Sequence, residues 1–212
     1  ARAAGGQTGR QPQVVRTADM MDMICTVFVR GKQPDGAILQ LAVDRGAVER
    51  RVFALDDLLS DVQRLLAARQ MAPDVALHIE PAPGLVLDSY PGPLGQVVEN
   101  LVGNAQLHAF ESDLGSPPPR ACPAEIRVRS QIDPHSGCLE IAVIDNGRGI
   151  DANVLPRIFD PFFTTRRGRG GTGIGLHLCH HFCTQVLGGR VTVTTSPGQG
   201  SRFTVQIPLK AP

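Results

Sequence analysis

Three polar residues stand four apart in the stretch Glu99-Asn100-Leu101-Val102-Gly103-Asn104-Ala105-Gln106-Leu107-His108. On a helix, Asn100, Asn104 and His108 share one face. Leu94, Val97, Val98, Leu101, Val102 and Ala105 then form the opposite, apolar side. Amide oxygens are hard, neutral ligands that suit Mg²⁺ where phosphates already bring the negative charge, because magnesium prefers oxygen and keeps several waters. The same spacing also fits a solvated polar face. Glu99 points about 100° away from Asn100 around such a helix, which makes it a poor base for the same site.

Four more clusters follow. Asp145-Asn146-Gly147-Arg148-Gly149-Ile150 comes directly after the apolar run Ile141–Ile144. A carboxylate only accepts hydrogen bonds, so Asp145 can receive one from an exocyclic amino group such as adenine's. The glycines beside it let a flat ligand approach the backbone. A plain hairpin turn is the alternative. Gly170-Gly171-Thr172-Gly173-Ile174-Gly175-Leu176 opens a helix, and unobstructed backbone N–H groups there form an anion site. No Gly-Lys-Ser/Thr follows, so it is not a P-loop. Arg-Gly-Gly ahead of it is no strand, which argues against a dinucleotide fingerprint, while a flexible hinge stays open as a reading.

Between these two lies Phe159-Asp160-Pro161-Phe162-Phe163-Thr164-Thr165-Arg166-Arg167, where three of the chain's eight Phe fall within five residues. This fits an apolar anchor on a mobile lid, with Arg166, Arg167 and Arg169 within reach of phosphate oxygens. A small satellite core fits as well. Gly198-Gln199-Gly200-Ser201-Arg202-Phe203, by itself, is hairpin chemistry.

The elements that must position these residues are an alternation of strands and helices. Arg51–Ala54, Val75–Ile79, Leu85–Leu87, Glu125–Ser130, Leu139–Ile144, 190–195 and 202–207 read as strands. Asp56 is expected to cap a helix carrying Leu58, Leu59, Val62, Leu65 and Leu66. Pro91 to Phe110 reads as a long helix with proline in its first turn, and Ile174–Leu187 as another that stops at Gly188-Gly189. Ser116-Pro117-Pro118-Pro119 makes 111–123 a surface loop. Helices are expected over 19–29 and after Asp35, as parts of a neighbouring region. The order implies an α+β sandwich with helices on one face of a sheet.

Composition narrows the function classes. The chain has 212 residues and a formal net charge of +1, so bulk electrostatics give no support to nucleic-acid binding. It has no Trp and one Tyr, which disfavours base stacking. No apolar run reaches the roughly 18 residues of a membrane span. The start, Ala-Arg-Ala-Ala-Gly-Gly, is neither a signal peptide nor an initiator Met, so the chain reads as a piece of something longer. Five cysteines at irregular spacing form no disulfide framework and suit a reducing cytoplasm, with a parent free to be membrane-anchored. Cys179-His180-His181-Phe182-Cys183 could hold zinc, but a core position suits the thiols better.

Taken together and in order, the five clusters resemble the N, G1, F and G2 boxes and the closing Gly-x-Gly-Ser/Thr-x-Phe turn of the bacterial sensor histidine kinase ATP-binding domain. That domain belongs to a superfamily shared with DNA gyrase, mismatch-repair ATPases and a heat-shock chaperone. The resemblance covers roughly residues 50–210. It implies a two-layer α/β sandwich with a mixed five-stranded sheet and a glycine-rich ATP lid over residues 49–212. Residues 1–48 would then be linker and partial helices from the dimerisation region. It further implies ATP and Mg²⁺ as ligands, with Asn104 on the metal, Asn100, His108 and Arg166 about the phosphates, and Asp145 on adenine. Gly147 and Gly149 would keep the pocket wall open. Ile150, Ile174 and Leu176 would be apolar neighbours of the nucleotide. Gly171, Gly173 and Gly175 match the phosphate turn, with Thr165, Thr172 and Arg167 as further contacts and Ser201 near the adenine.

The implied activity is transfer of the γ-phosphate to a histidine of the dimerisation domain in two-component signalling. The implied partners are that phosphoacceptor domain, a response regulator and a second copy of the parent. A hydrolysing ATPase of the same superfamily and a non-catalytic nucleotide-sensing module are the alternatives. Two departures stand out. The family's N box often has a basic residue where this chain has Leu107. None of His78, His108, His135, His177, His180 and His181 has the setting of the phosphoacceptor, so no autophosphorylation is expected of this chain alone.

Overall fold

A computed structural model of the chain describes residues 49–68, 74–110, 122–166 and 171–212, all within the unit Arg45–Pro212. The helices expected over 19–29 and after Asp35, the linker reading of 1–48, most of the loop at 111–123 and Arg167 lie outside the described residues.

The long helix forms where the periodicity predicts it. Helix α2 spans Pro91–His108, with proline in its first turn. Its Leu94, Val97, Val98, Leu101, Val102 and Ala105 are buried. These recur at the three- and four-residue steps that keep one stripe against a core. Helix α1, Leu55–Ala68, buries Leu55, Leu59, Val62 and Leu66 in the same way. Asp56 is not its cap, because the buried Leu55 opens the helix, its N–H held by the Leu85 carbonyl at 2.9 Å. The Asp56 carboxylate instead accepts the Gly84 N–H at 3.3 Å.

Strands β1 (Arg51–Ala54) and β3 (Val86–Ser89) pair antiparallel as a separate ribbon. The main sheet is mixed and five-stranded. Its order is β2-β4-β5-β7-β6, from β2 (Val75–Glu80), β4 (Ala124–Ile132), β5 (Leu139–Asp145), β6 (Arg190–Thr195) and β7 (Ser201–Ile207). Only β2 and β4 run parallel; the other neighbours are antiparallel. Ile126, Val128, Leu139, Ile141, Val143, Phe203, Val205 and Ile207 share one core cluster with α1 and α2. Each such fully buried aliphatic side chain contributes about 1.5–3 kcal/mol. The other face carries ion pairs such as Arg129–Glu80 at 2.8 Å and Arg202–Glu140 at 2.9 Å, the pattern of a solvated sheet. This is the expected α+β arrangement.

The helix expected over 174–187 is shorter and then widens. Helix α3 covers Gly175–His181, and Phe182–Val186 continue as a π-helix. The Thr184 hydroxyl donates to the His180 carbonyl at 2.8 Å, four residues back, and such back-bonding loosens the helical ladder. Cys179 and Cys183 are fully buried here, and burial pushes both thiols well above their ordinary range. Both cysteines belong to the core cluster, and among the described residues no three of His, Cys, Asp or Glu are grouped so as to hold a metal ion. Among them, too, no helix is long and apolar enough to cross a membrane.

Candidate functional site

The five sequence clusters meet at one cavity of about 670 Å³. That lies within the roughly 300–1,000 Å³ typical of small-molecule sites. Asn100, Asn104 and His108 line it from α2, Asp145 from the end of β5, and Gly149 and Ile150 from the loop that follows. Thr165, Gly171, Thr172, Gly173, Gly175 and Leu176 line it from the segment leading into α3, and Ser201 from the start of β7. The chain leaves the sheet after Asp145 instead of turning into a hairpin, and this opens the wall.

One end is built by strand register. Asp145 on β5 stands opposite Ser201 on β7, which stands opposite Thr195 on β6. Asp145 and Ser201 are buried at 5% and 7% exposure. The Asp145 carboxylate accepts the backbone N–H of Gly147 at 2.9 Å and of Ser201 at 3.3 Å, which fixes its orientation. The Thr195 hydroxyl donates to the Gly200 carbonyl at 2.9 Å, accepts the Ile150 N–H at 3.0 Å, and lies 3.1 Å from the Ser201 hydroxyl. Thr195 thus ties both cavity-lining segments to the sheet.

The other end is the polar face of α2. The Asn100 oxygen accepts from Gln96 at 3.1 Å, and its amide donates to the Gly175 carbonyl at 3.4 Å. Asn100 is therefore a strut between α2 and the glycine turn. Asn104, one turn on, lines the cavity. Half-buried His108 follows, with its Nδ1 3.5 Å from the Thr165 hydroxyl. Burial first, then the positive charges of Arg166 and Arg148, push its pKa down to about 4, so the imidazole is neutral at pH 7.

Three expected site residues do not line the cavity. Gly147 is buried against the end of α2, where a Cβ would stand 2.4 Å from the Ala109 carbonyl oxygen. It permits close packing and does not shape the pocket wall. Ile174 is buried at the start of α3. The Arg166 guanidinium donates to the Leu107 carbonyl, at the end of a helix where cations are favoured. Glu99 is likewise not part of the wall.

The Phe cluster divides. Phe159 packs on the core, with its ring 5.7 Å from that of His180. Phe163 lines the cavity with Arg157 stacked 4.5 Å from its centroid. Phe162 is 62% exposed. Gly173 lies so close that a Cβ would stand 2.5 Å from the Phe162 carbonyl carbon.

Residues 90–211 match the family model described as Histidine kinase-, DNA gyrase B-, and HSP90-like ATPase. The chain belongs to this ATPase family. The alginate biosynthesis sensor protein KinB of Pseudomonas aeruginosa is 35% identical over 158 residues, covering 73% of this chain and 24% of that protein. Sensor histidine kinase RcsC of Escherichia coli (strain K12) is 37% identical over 168 residues, covering 76% of this chain and 16% of that protein. The chain thus spans about a quarter or less of the length of these relatives. The catalytic domain of histidine kinase ThkA superposes with a TM-score of 0.62 at 24% identity, over 76% of this chain and 97% of that one. Full-length ShkA, solved in complex with AMPPNP, gives 0.60 at 24% identity, over 76% of this chain and 32% of that one. At this identity both likenesses concern the fold. Family and relatives together make this an ATP-binding domain of the sensor histidine kinase type.

In this histidine kinase-type domain the structure also brings Arg148, Asp151, Val154, Ile158, Phe163, Thr164 and Phe203 to the cavity wall, none of which was expected there. Val154 and Ile158 flank a 3₁₀ turn, Leu155–Arg157, within a stretch that reads as glycine-rich loop. The apolar spacing of Val154, Leu155 and Ile158 was the available signal for it. Thr195 had none, because its place depends on how β6 pairs with β7.

Proposed function

We propose that this domain binds Mg-ATP and presents its γ-phosphate to a histidine on the dimerisation domain of the parent kinase, as a step of two-component signalling. The supporting observation is that Asp145 and Asn104 line the same cavity from two different elements. Asp145, oriented by two backbone N–H groups, would accept the adenine amino group beside Ile150 and Ser201. The glycine turn at Gly171–Gly175 would supply backbone N–H groups for phosphate oxygens. Arg167 and the glycine-rich lid belong to the same proposal.

The residues present fit a magnesium ion. Asn104 offers a hard amide oxygen on the cavity wall, while Asn100 already spends its own on Gln96. Magnesium, when bound with the nucleotide, neutralises phosphate charge. The protein's own part is positioning. Asn100 holds α2 against the glycine turn, neutral His108 offers a hydrogen-bonding nitrogen without a charge, and Thr165 closes beside it. The nucleophile would be an imidazole nitrogen of the phosphoacceptor helix. Its bond to the γ-phosphorus forms as the bond to the β-phosphate oxygen breaks and ADP leaves. The hydrolase alternative is less well supported, because the position one turn before Asn104 is an amide, Asn100, and not a carboxylate.

The test combines the chain with the phosphoacceptor helices of its parent and γ-labelled ATP. The expected result is Mg²⁺-dependent label on their histidine, lost in Asn104→Ala. Label appearing only as inorganic phosphate would contradict the proposal.

A further inference from the structure

A triphosphate needs positive charge near it, and the described residues of the cavity wall offer little, Arg167 and Arg169 lying outside them. Its wall carries two carboxylates, Asp145 and Asp151. The position before His108 is Leu107, which carries no charge. His108 itself stays neutral, since it takes a proton only at about pH 4. The Arg166 guanidinium is committed to the Leu107 carbonyl and is not on the wall. Among the described residues that line the cavity, Arg148 is the one arginine or lysine.

Arg148 is also well placed. Its N–H donates to the Ala109 carbonyl at 3.0 Å, and its own carbonyl accepts the Gly198 N–H at 2.7 Å. Its backbone is thereby clamped between the end of α2 and the β6–β7 turn. Its charge is felt at His108, one helical turn beyond Asn104, which is the α2 end of the cavity.

We propose that the Arg148 guanidinium is a phosphate-binding group for the nucleotide, supplying positive charge to the cavity from the loop after β5. This rests on the nucleotide reading above. The side chain is exposed and both backbone bonds can form in any replacement, and circular dichroism of each variant checks the fold.

Isothermal titration of ATP, ADP and adenosine into the wild-type chain, Arg148→Ala and Arg148→Lys tests this. Arg148→Ala should weaken ATP and ADP roughly tenfold, as expected for losing one charge-assisted hydrogen bond. Adenosine affinity should stay unchanged, and Arg148→Lys should recover part of the loss. Equal ATP affinity in wild type and Arg148→Ala would overturn the proposal, and so would an equal loss for adenosine. A wild-type chain that binds none of the three would overturn the nucleotide reading itself, which separates the two failures.

Discussion

His108 is half-buried and feels the positive charges of Arg166 and Arg148, and both conditions disfavour its protonated form. In the unfolded chain the imidazole takes a proton around pH 6.5, whereas in the fold it resists until about 4. The unfolded state therefore binds the proton first as the pH falls. The stability contributed by neutral His108 is complete above 6.5, shrinks below it and is gone by 4. Urea unfolding of wild type and His108→Gln between pH 7 and pH 4 should show the variant losing less stability over that window. Parallel losses would contradict the burial and charge argument.

At the scale of elements, the site depends on how closely the loop after β5 meets the end of α2. Gly147 allows that approach, and Arg148 secures it through the Ala109 carbonyl. Gly147→Ala would press a methyl group into backbone that cannot yield cheaply. We expect a loss of about 3 kcal/mol and a drop in Tm on the order of 10 °C, measured by thermal unfolding without ligand. An unchanged Tm would mean that the loop relaxes freely.

The same contact marks the limit of what was legible in the sequence. Asn100, Asn104 and His108 could be placed on one face because helical periodicity is local, and α2 keeps that face toward the cavity. Asp145 could be placed because an apolar strand ends there. Gly147 was expected on the pocket wall and Arg148 was not, because which of two loop neighbours faces the cavity depends on α2 arriving from another part of the chain. Thr195 was hidden for the same reason, being set by strand register. The π-helical segment after His181 coincides with the hydrogen bond that Thr184 makes to the His180 carbonyl, a contact the apolar pattern does not encode.

At the scale of the whole molecule, three elements distant in sequence converge on one volume: α2, the end of β5 with its loop, and the segment opening α3. The sheet holds Asp145 through β7 and β6, and the core holds α2 against the sheet. A single nucleotide held in this cavity would span the carboxylate and the amide on its wall. The most direct test is titration of ATP into wild type and Asp145→Asn, with folding checked by circular dichroism. Asn keeps the size of Asp145 but puts a donor amide where the adenine amino group needs an acceptor. The predicted result is a loss of ATP affinity of at least about tenfold with the fold intact. Undiminished affinity in a folded Asp145→Asn chain would contradict the assignment of this cavity to the nucleotide.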